Sequence, residues 1–107
     1  MLRKRERLTA AQVSEVIKRG SSVRGRYMSG KFLAHTGVLQ TAVAVPKSLV
    51  KKAVKRNSLR RAAYRALKEL PAPLPRGKLV VFVRSVPQTT PAAAFAEDLA
   101  SLMRKIA

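Results

Sequence analysis

Apolar residues recur at the spacing of an amphipathic α-helix in three segments of the chain. The first segment begins after Thr9, a favourable N-cap residue, and ends before Gly20. The last begins at Thr90 and Pro91, a pair typical of a helix start, and continues to about Ile106. Each has a stripe that predicts packing on a core: Val13, Val16 and Ile17 in the first, and Phe95, Leu99, Leu102, Met103 and Ile106 in the last.

Three further segments have the composition of β-strands. Residues 26–34 and 41–45 contain strand-forming residues, and a turn at Gly37 separates them. Residues 79–83, LVVFV, are apolar throughout, which is typical of a strand buried on both faces. Residues 21–25 are interpreted as a connection. The element order α-β-β-α-β-α predicts an α+β fold, an α/β sandwich in which helices pack on a small central sheet.

The middle helix, between the second and third strands, has an unusually basic outer face. It begins between Leu49 and Lys55, and residues 71–77, PAPLPRG, prevent it from continuing beyond Leu70. Its apolar stripe comprises Leu59, Ala62, Ala63, Ala66 and Leu70. The opposite side carries Arg56, Asn57, Arg60, Arg61, Tyr64, Arg65 and Lys68. Like charges one turn apart cost about 0.2–0.5 kcal/mol each, so this face is best explained by a polyanion that lies against it.

The overall charge supports the same interpretation. The chain has 107 residues, 47% of them hydrophobic, which is enough for a single domain over residues 1–107 with a modest core. It contains 23 Lys and Arg but only five Asp and Glu, for a net charge of +18. Residues 1–7, MLRKRER, predict a flexible basic arm. Because neutralised phosphates release counterions, we expect a cytoplasmic protein bound to nucleic acid.

The same composition argues against other functions. The sequence has no run of about 18 apolar residues, so we expect no membrane partner. It has no cysteine, which excludes disulfides and thiolate chemistry. Glu97 and Asp98 form the only acidic pair and fall in the last helix, where they suit its macrodipole, and His35 has no acid nearby. We therefore predict no catalytic and no metal-binding residue, which disfavours a free-standing nuclease.

Residues 53–61, AVKRNSLRR, closely resemble the signature A-V-x-R-N-x-x-K/R-R of the protein subunit of bacterial ribonuclease P. The resemblance extends over nearly the whole chain, through residues 5–8, 19–20, 44–47 and 75–83. It implies a compact α/β fold in which the basic helix joins the second and third strands by a left-handed crossover, against the usual hand. It also implies partnership with a large catalytic RNA that, with Mg²⁺, removes the 5′ leader of precursor transfer RNA.

The resemblance also implies roles for particular residues. The catalytic RNA would contact Lys47, Lys52, Arg56, Asn57, Arg60, Arg61 and Arg65. The single-stranded leader would lie in a cleft between the first helix and the sheet, and Val13 and Ile17 occupy helix positions where aromatic residues are common in the family. Tyr27 and Phe32 are the candidates for stacking on unpaired bases, although core packing explains Phe32 and Phe82 better. The RNA would carry the chemistry and hold most of the Mg²⁺.

A ribosomal or other structural RNA-binding protein is the alternative that composition leaves open. Both classes of protein need a basic surface that contacts phosphates. Only a processing enzyme also needs a cleft that receives the leader of its substrate. The two hypotheses therefore differ in whether a second RNA-binding surface is required.

Overall fold

The computed structural model of the protein describes residues 7–70, 74–88 and 90–106. The elements are the helices α1 (Ala10–Arg19), α2 (Ala53–Lys68) and α3 (Pro91–Ile106), and the strands β1 (Ser21–Arg24), β2 (Met28–Ala34), β3 (Gln40–Ala44) and β4 (Gly77–Val83). The predicted α+β class is confirmed, and each predicted helix and strand is present within a few residues of its expected bounds. Of the predicted basic arm, residues 1–6 lie outside the described residues. The backbone of Arg7 forms an isolated parallel β-bridge with Thr41 of β3.

The four strands form one mixed sheet in the order β1-β2-β4-β3. β2 runs antiparallel to both β1 and β4, whereas β3 and β4 are parallel and α2 is the crossover between them. The interpretation of residues 21–25 as a connection is wrong, because Ser21–Arg24 forms an edge strand and adds one strand to the predicted order. This strand is mostly exposed and has little apolar pattern, so its conformation depends on pairing with β2.

One face of the sheet carries the main core. Alternation along the paired strands places Met28, Leu79 and Val81 on this face, and all three side chains are buried. Helices α2 and α3 cover it with their own buried residues, which are Leu59, Ala63, Ala66 and Leu67 from α2 and Phe95, Leu99 and Leu102 from α3. The predicted stripe of α2 is confirmed in part: Ala62 and Leu70 are only partly buried, and Leu67 joins the stripe.

Helix α1 covers part of the opposite face. Val16 of α1 and Val80 of β4 are both fully buried, with 0% and 1% of their surface exposed, and neither belongs to the main core cluster. Glu15 of α1 forms an ion pair with Lys78 of β4, with 3.3 Å between Oε1 and Nζ. The sheet therefore lies between α1 on one side and α2 with α3 on the other, which is the predicted sandwich.

The turn between β1 and β2 is held by a carboxylate from α3. Asp98 is 6% exposed and accepts hydrogen bonds from the backbone N–H groups of Arg26 (2.5 Å), Tyr27 (3.0 Å) and Met28 (2.9 Å). A Cβ atom on Gly25 would overlap this carboxylate, so the close approach requires glycine. The structural interpretation of the acidic pair is confirmed for Asp98, although its partners are these backbone N–H groups rather than the helix terminus.

Candidate nucleic-acid interface

The outer side of α2 and the loop that precedes it form a continuous basic surface. Its exposed cations are Lys47, Lys51, Lys52, Lys55, Arg61, Arg65 and Lys68. The first turn of α2 contains no acidic residue, and the N-cap residue Lys52 makes no side-chain capping hydrogen bond. Cations at this end of a helix oppose the macrodipole, whose partial positive charge favours anions. The local electrostatics of the loop and first turn are therefore suited to a bound anion.

Arg56 connects this loop to the helix. Its Nη1 atom donates hydrogen bonds to the backbone carbonyl oxygens of Val50 (3.0 Å) and Lys51 (2.6 Å). Val50 is buried in the core, so the guanidinium group holds the loop residues Lys51 and Lys52 at a defined position beside α2. Arg56 thus has a structural role in addition to its predicted contact with RNA, because it positions the lysines that surround it.

Asn57 and Arg60 form a second defined pair on the same side of α2. Nη1 of Arg60 donates a hydrogen bond of 2.8 Å to Oδ1 of Asn57, three residues earlier. Together with Arg61, Tyr64 and Arg65 they line a shallow depression of about 400 Å³. An arginine already held in one orientation loses less side-chain entropy when it binds a phosphate. The structure therefore brings the RNA-binding residues predicted on α2 together on one side of the helix.

Tyr64 is the exception to the predicted basic face. Its ring is partly buried against the core, and its hydroxyl oxygen accepts a 3.2 Å hydrogen bond from the backbone N–H of Val43. Its assignment to the outer face is right only in part, because the ring lines the depression but also reaches from α2 to the edge strand β3. The hydrogen bond gives the backbone N–H of Val43 an acceptor, and the arginines form the more exposed part of the surface.

A second candidate surface, the α1 groove, is the uncovered part of the sheet beside α1. Phe82 of β4 lies two residues beyond the buried Val80 on the same face and is partly exposed. Its neighbours across the two strand pairs are Ala44 of β3 and Ser29 of β2, both of which have small side chains. The guanidinium carbon of Arg84 lies 5.1 Å from the centroid of the Phe82 ring, and its Nε donates a 2.8 Å hydrogen bond to Ser29 Oγ.

Val13 and Ile17 border this groove. At about 100° per residue they lie about 160° around α1 from Glu15, whose ion pair with Lys78 fixes which side of the helix faces the start of β4. The two side chains therefore face the other way, toward Phe82. Val13 is partly exposed and Ile17 is 42% exposed, so both offer apolar surface to a ligand in the groove.

The two aromatic candidates from the sequence do not lie in the α1 groove. Phe32 is on the other face of the sheet, where its ring packs against the core and would touch a Cβ atom on Gly77. Tyr27 is in the β1–β2 turn, also against the core, and its carbonyl accepts hydrogen bonds from the backbone of Arg84 and Ser85. Core packing is confirmed for Phe32. Phe82 is also only partly exposed, but it lies outside the main core cluster and on the α1 face, which an all-apolar strand without alternation does not predict.

Among the residues that the structure describes, no three His, Cys, Asp or Glu side chains come together in a way that could hold a metal ion. Over the same residues, no helix has the length and apolar character needed to cross a membrane.

Comparison with known proteins agrees with this arrangement. The chain is similar to the solved RNase P protein of Staphylococcus aureus, with 19% sequence identity, a TM-score of 0.80 and coverage of 94% of each chain. It is also similar to that of Thermotoga maritima, with 22% identity, a TM-score of 0.78, and coverage of 95% of this chain and 98% of that one. At these identities the likeness establishes a shared fold. No curated protein sequence matches the chain.

The family assignment rests on a whole-chain match. The family model described as Ribonuclease P matches residues 2–107, which include both the basic surface of α2 and the α1 groove. In that family the protein is a subunit of an RNA-containing endoribonuclease that processes transfer RNA precursors. The chain therefore belongs to the ribonuclease P protein family.

Proposed function

We propose that the protein binds the catalytic RNA through the basic surface of α2 and holds the 5′ leader of precursor transfer RNA in the α1 groove. The observation that supports this most directly is the position of the two surfaces. The α1 groove lies on the sheet face opposite the one that α2 covers, so two RNA segments can bind without competing. A structural RNA-binding protein needs only the first of these surfaces.

The basic surface supplies affinity for the catalytic RNA. Its arginines present planar, multiple N–H donors that fit phosphate oxygens, and the hydrogen bonds of Arg56 and Arg60 restrict their orientations before RNA binds. The described part of α2 contains no acidic residue, so nothing on the helix itself competes for these cations.

The α1 groove suits an unpaired strand. An exposed aromatic ring stacks on any base, which contributes about 1–3 kcal/mol without sequence preference. Phe82 supplies the ring, and Arg84, stacked beside it, adds a positive charge for the adjoining phosphate. Val13 and Ile17 extend the apolar border. Phe82 is therefore our proposal for the stacking role, for which Tyr27 and Phe32 are the candidates from the sequence.

The chemistry in this proposal belongs to the RNA partner. The RNA would hold most of the Mg²⁺, which would supply the metal-ion chemistry of phosphodiester hydrolysis. The protein residues bind, orient and neutralise charge. The expected cytoplasmic location, where precursor transfer RNA would be met, stays a prediction.

Reconstitution tests the proposed function. Purified protein, a bacterial ribonuclease P RNA and a precursor transfer RNA are combined at Mg²⁺ concentrations too low for the RNA to act efficiently alone, and leader release is followed. We expect cleavage at the mature 5′ end only when protein and RNA are both present. Binding without stimulation would favour the structural RNA-binding alternative, and cleavage by the protein alone would overturn the assignment of the chemistry to RNA.

Replacement of Phe82 tests the leader site. We expect Phe82→Ala to weaken holoenzyme binding of precursor transfer RNA by roughly 5- to 150-fold, because the stacking contribution of about 1–3 kcal/mol is lost. Binding of mature transfer RNA, which has no leader, should be unchanged, and a thermal melt checks the fold. Equal weakening for both ligands would remove Phe82 from the leader site.

A further inference from the structure

Two depressions flank the β1–β2 turn, and neither belongs to the basic surface of α2. The smaller, of about 450 Å³, lies between the turn and Arg84, next to the α1 groove. The larger, of about 750 Å³, lies between the turn and α3 and reaches Arg104 and Lys105. Both are lined by Arg24, Gly25 and Arg26. The two depressions therefore form one surface that passes around the turn.

The charge on this surface is strongly positive. Arg24, Arg26 and Arg104 are exposed on it, and Arg84 stands at the groove end. Two acids, Glu97 and Asp98, line the larger depression. The Asp98 carboxylate is already bound by three backbone N–H groups, so it is largely neutralised by its partners. The cations therefore outnumber the acids that remain available to balance them.

The geometry favours a phosphate backbone as the ligand. The guanidinium carbon of Arg26 lies 5.3 Å from the centroid of the Tyr27 ring, which repeats the pairing of Arg84 with Phe82. An arginine stacked in this way is held flat while its N–H groups stay free to bind phosphate oxygens.

The turn that carries these arginines is itself rigid. Asp98 holds its backbone, and Lys105 Nζ donates a hydrogen bond to the carbonyl oxygen of Arg24. A surface that is ordered before the ligand arrives loses little entropy on binding.

The shape of the surface selects a flexible strand. Its two depressions open on different sides of one tight turn, and a ligand that fills both must bend around residues 24–26. A nucleic acid duplex is stiff over this scale, whereas a single strand bends freely. The end of the surface at Arg84 is also continuous with the α1 groove, where an unpaired strand already has its proposed place.

We propose that this surface, which we call the turn track, binds the phosphate backbone of the distal 5′ part of long leaders. The leader leaves the α1 groove past Phe82 and Arg84, crosses Arg24 and Arg26, and ends against Arg104. The inference rests on the proposed function, because the track begins at the leader site. Its consequence is that leaders long enough to reach the track bind more tightly than leaders that end within the groove.

The test uses the reconstituted holoenzyme and precursors whose leaders are lengthened one nucleotide at a time. In the wild type, we expect substrate affinity to rise a first time as the leader fills the α1 groove. It should rise a second time when the leader becomes long enough to pass Arg84. The variant Arg24→Gln, Arg26→Gln, Arg104→Gln should lose this second rise, about tenfold at low salt, while its affinity for short leaders is unchanged. All three side chains are exposed, so the fold should be retained.

A control variant removes the same charge elsewhere. Lys18 and Arg19 lie on the Glu15 side of α1, away from the groove, and Arg76 is exposed in the loop before β4. The variant Lys18→Gln, Arg19→Gln, Arg76→Gln should keep the second rise. If both variants lose it equally, the effect is one of net charge and the turn track is refuted.

The remaining outcomes separate this inference from the proposed function. A turn-track variant that behaves like the wild type at every leader length, while Phe82→Ala still weakens short leaders, overturns the track alone. Weaker assembly of the turn-track variant with the catalytic RNA in the absence of substrate would also overturn it, because the cations would then serve the other RNA. If neither leader length nor Phe82 affects binding, the leader site itself fails.

Discussion

Replacing Arg60, Arg61 and Arg65 together with glutamine is expected to weaken binding to the catalytic RNA by on the order of a thousandfold. A hydrogen bond to a charged group contributes about 1.5 kcal/mol or more, so three phosphate contacts amount to about 4.5 kcal/mol. Titrations at several salt concentrations provide a second readout. Removing the contacts should reduce the slope of log affinity against log salt by about two to three units.

Arg56 is left intact in this variant for a structural reason. Its bonds to the carbonyl oxygens of Val50 and Lys51 hold the loop before α2, so its replacement would move neighbouring lysines as well as remove a charge. The variant with Lys18, Arg19 and Arg76 replaced by glutamine removes three charges from another region and serves as the matched control. If both variants lose the same affinity and the same salt slope, the catalytic RNA does not recognise α2 specifically.

The second large effect concerns stability. We expect Asp98→Ala to lower the free energy of unfolding by about 2–4 kcal/mol, because the N–H groups of the β1–β2 turn lose their acceptor and the Met28 N–H is buried. Small domains are stable by only about 5–15 kcal/mol, so this is a large fraction of the total. Chemical denaturation monitored by circular dichroism measures it.

Glu97→Ala is the control for this prediction. Glu97 neighbours Asp98 on the same helix but is exposed, so its replacement should change stability by no more than about 0.5 kcal/mol. Asp98→Asn keeps one acceptor oxygen and should fall between the two alanine variants. If Asp98→Ala were as stable as Glu97→Ala, other groups would satisfy the turn and the rigidity argued for the turn track would be lost.

The helices and the main strands could be predicted because their signals are local. The period of Leu59, Ala63 and Ala66 identifies the inner side of α2, and the absence of acids between Glu15 and Glu69 identifies its outer side as basic. Strand β1 could not be predicted in the same way. Its residues are mostly exposed, and its conformation comes from backbone pairing with β2 rather than from its own side chains.

The candidate site likewise contains residues that a local pattern predicts and residues that it does not. Helix formation alone is enough to bring the predicted cations of α2 together, and the structure places them on one side of the helix. To predict the aromatic leader contact, one must know on which face of a strand the ring lies. Residues 79–83 are apolar at every position, so their pattern does not distinguish the two faces. Only the pairing of β4 with β3 and the position of α1 show that Phe82 lies in the groove and Phe32 in the core.

The helical periods, the basic segment of α2 and the family signature can be recognised in the sequence because each depends on residues close together in the chain. Tertiary packing sets which face of the sheet Phe32 and Phe82 lie on, that Arg56 holds a loop, and that Asp98 binds a turn about 70 residues away. Such long-range contacts depend on strand register and on which helix covers which face. Register involves pairing between strands that are distant in the chain, and the side that each helix covers follows from the packing of the whole domain.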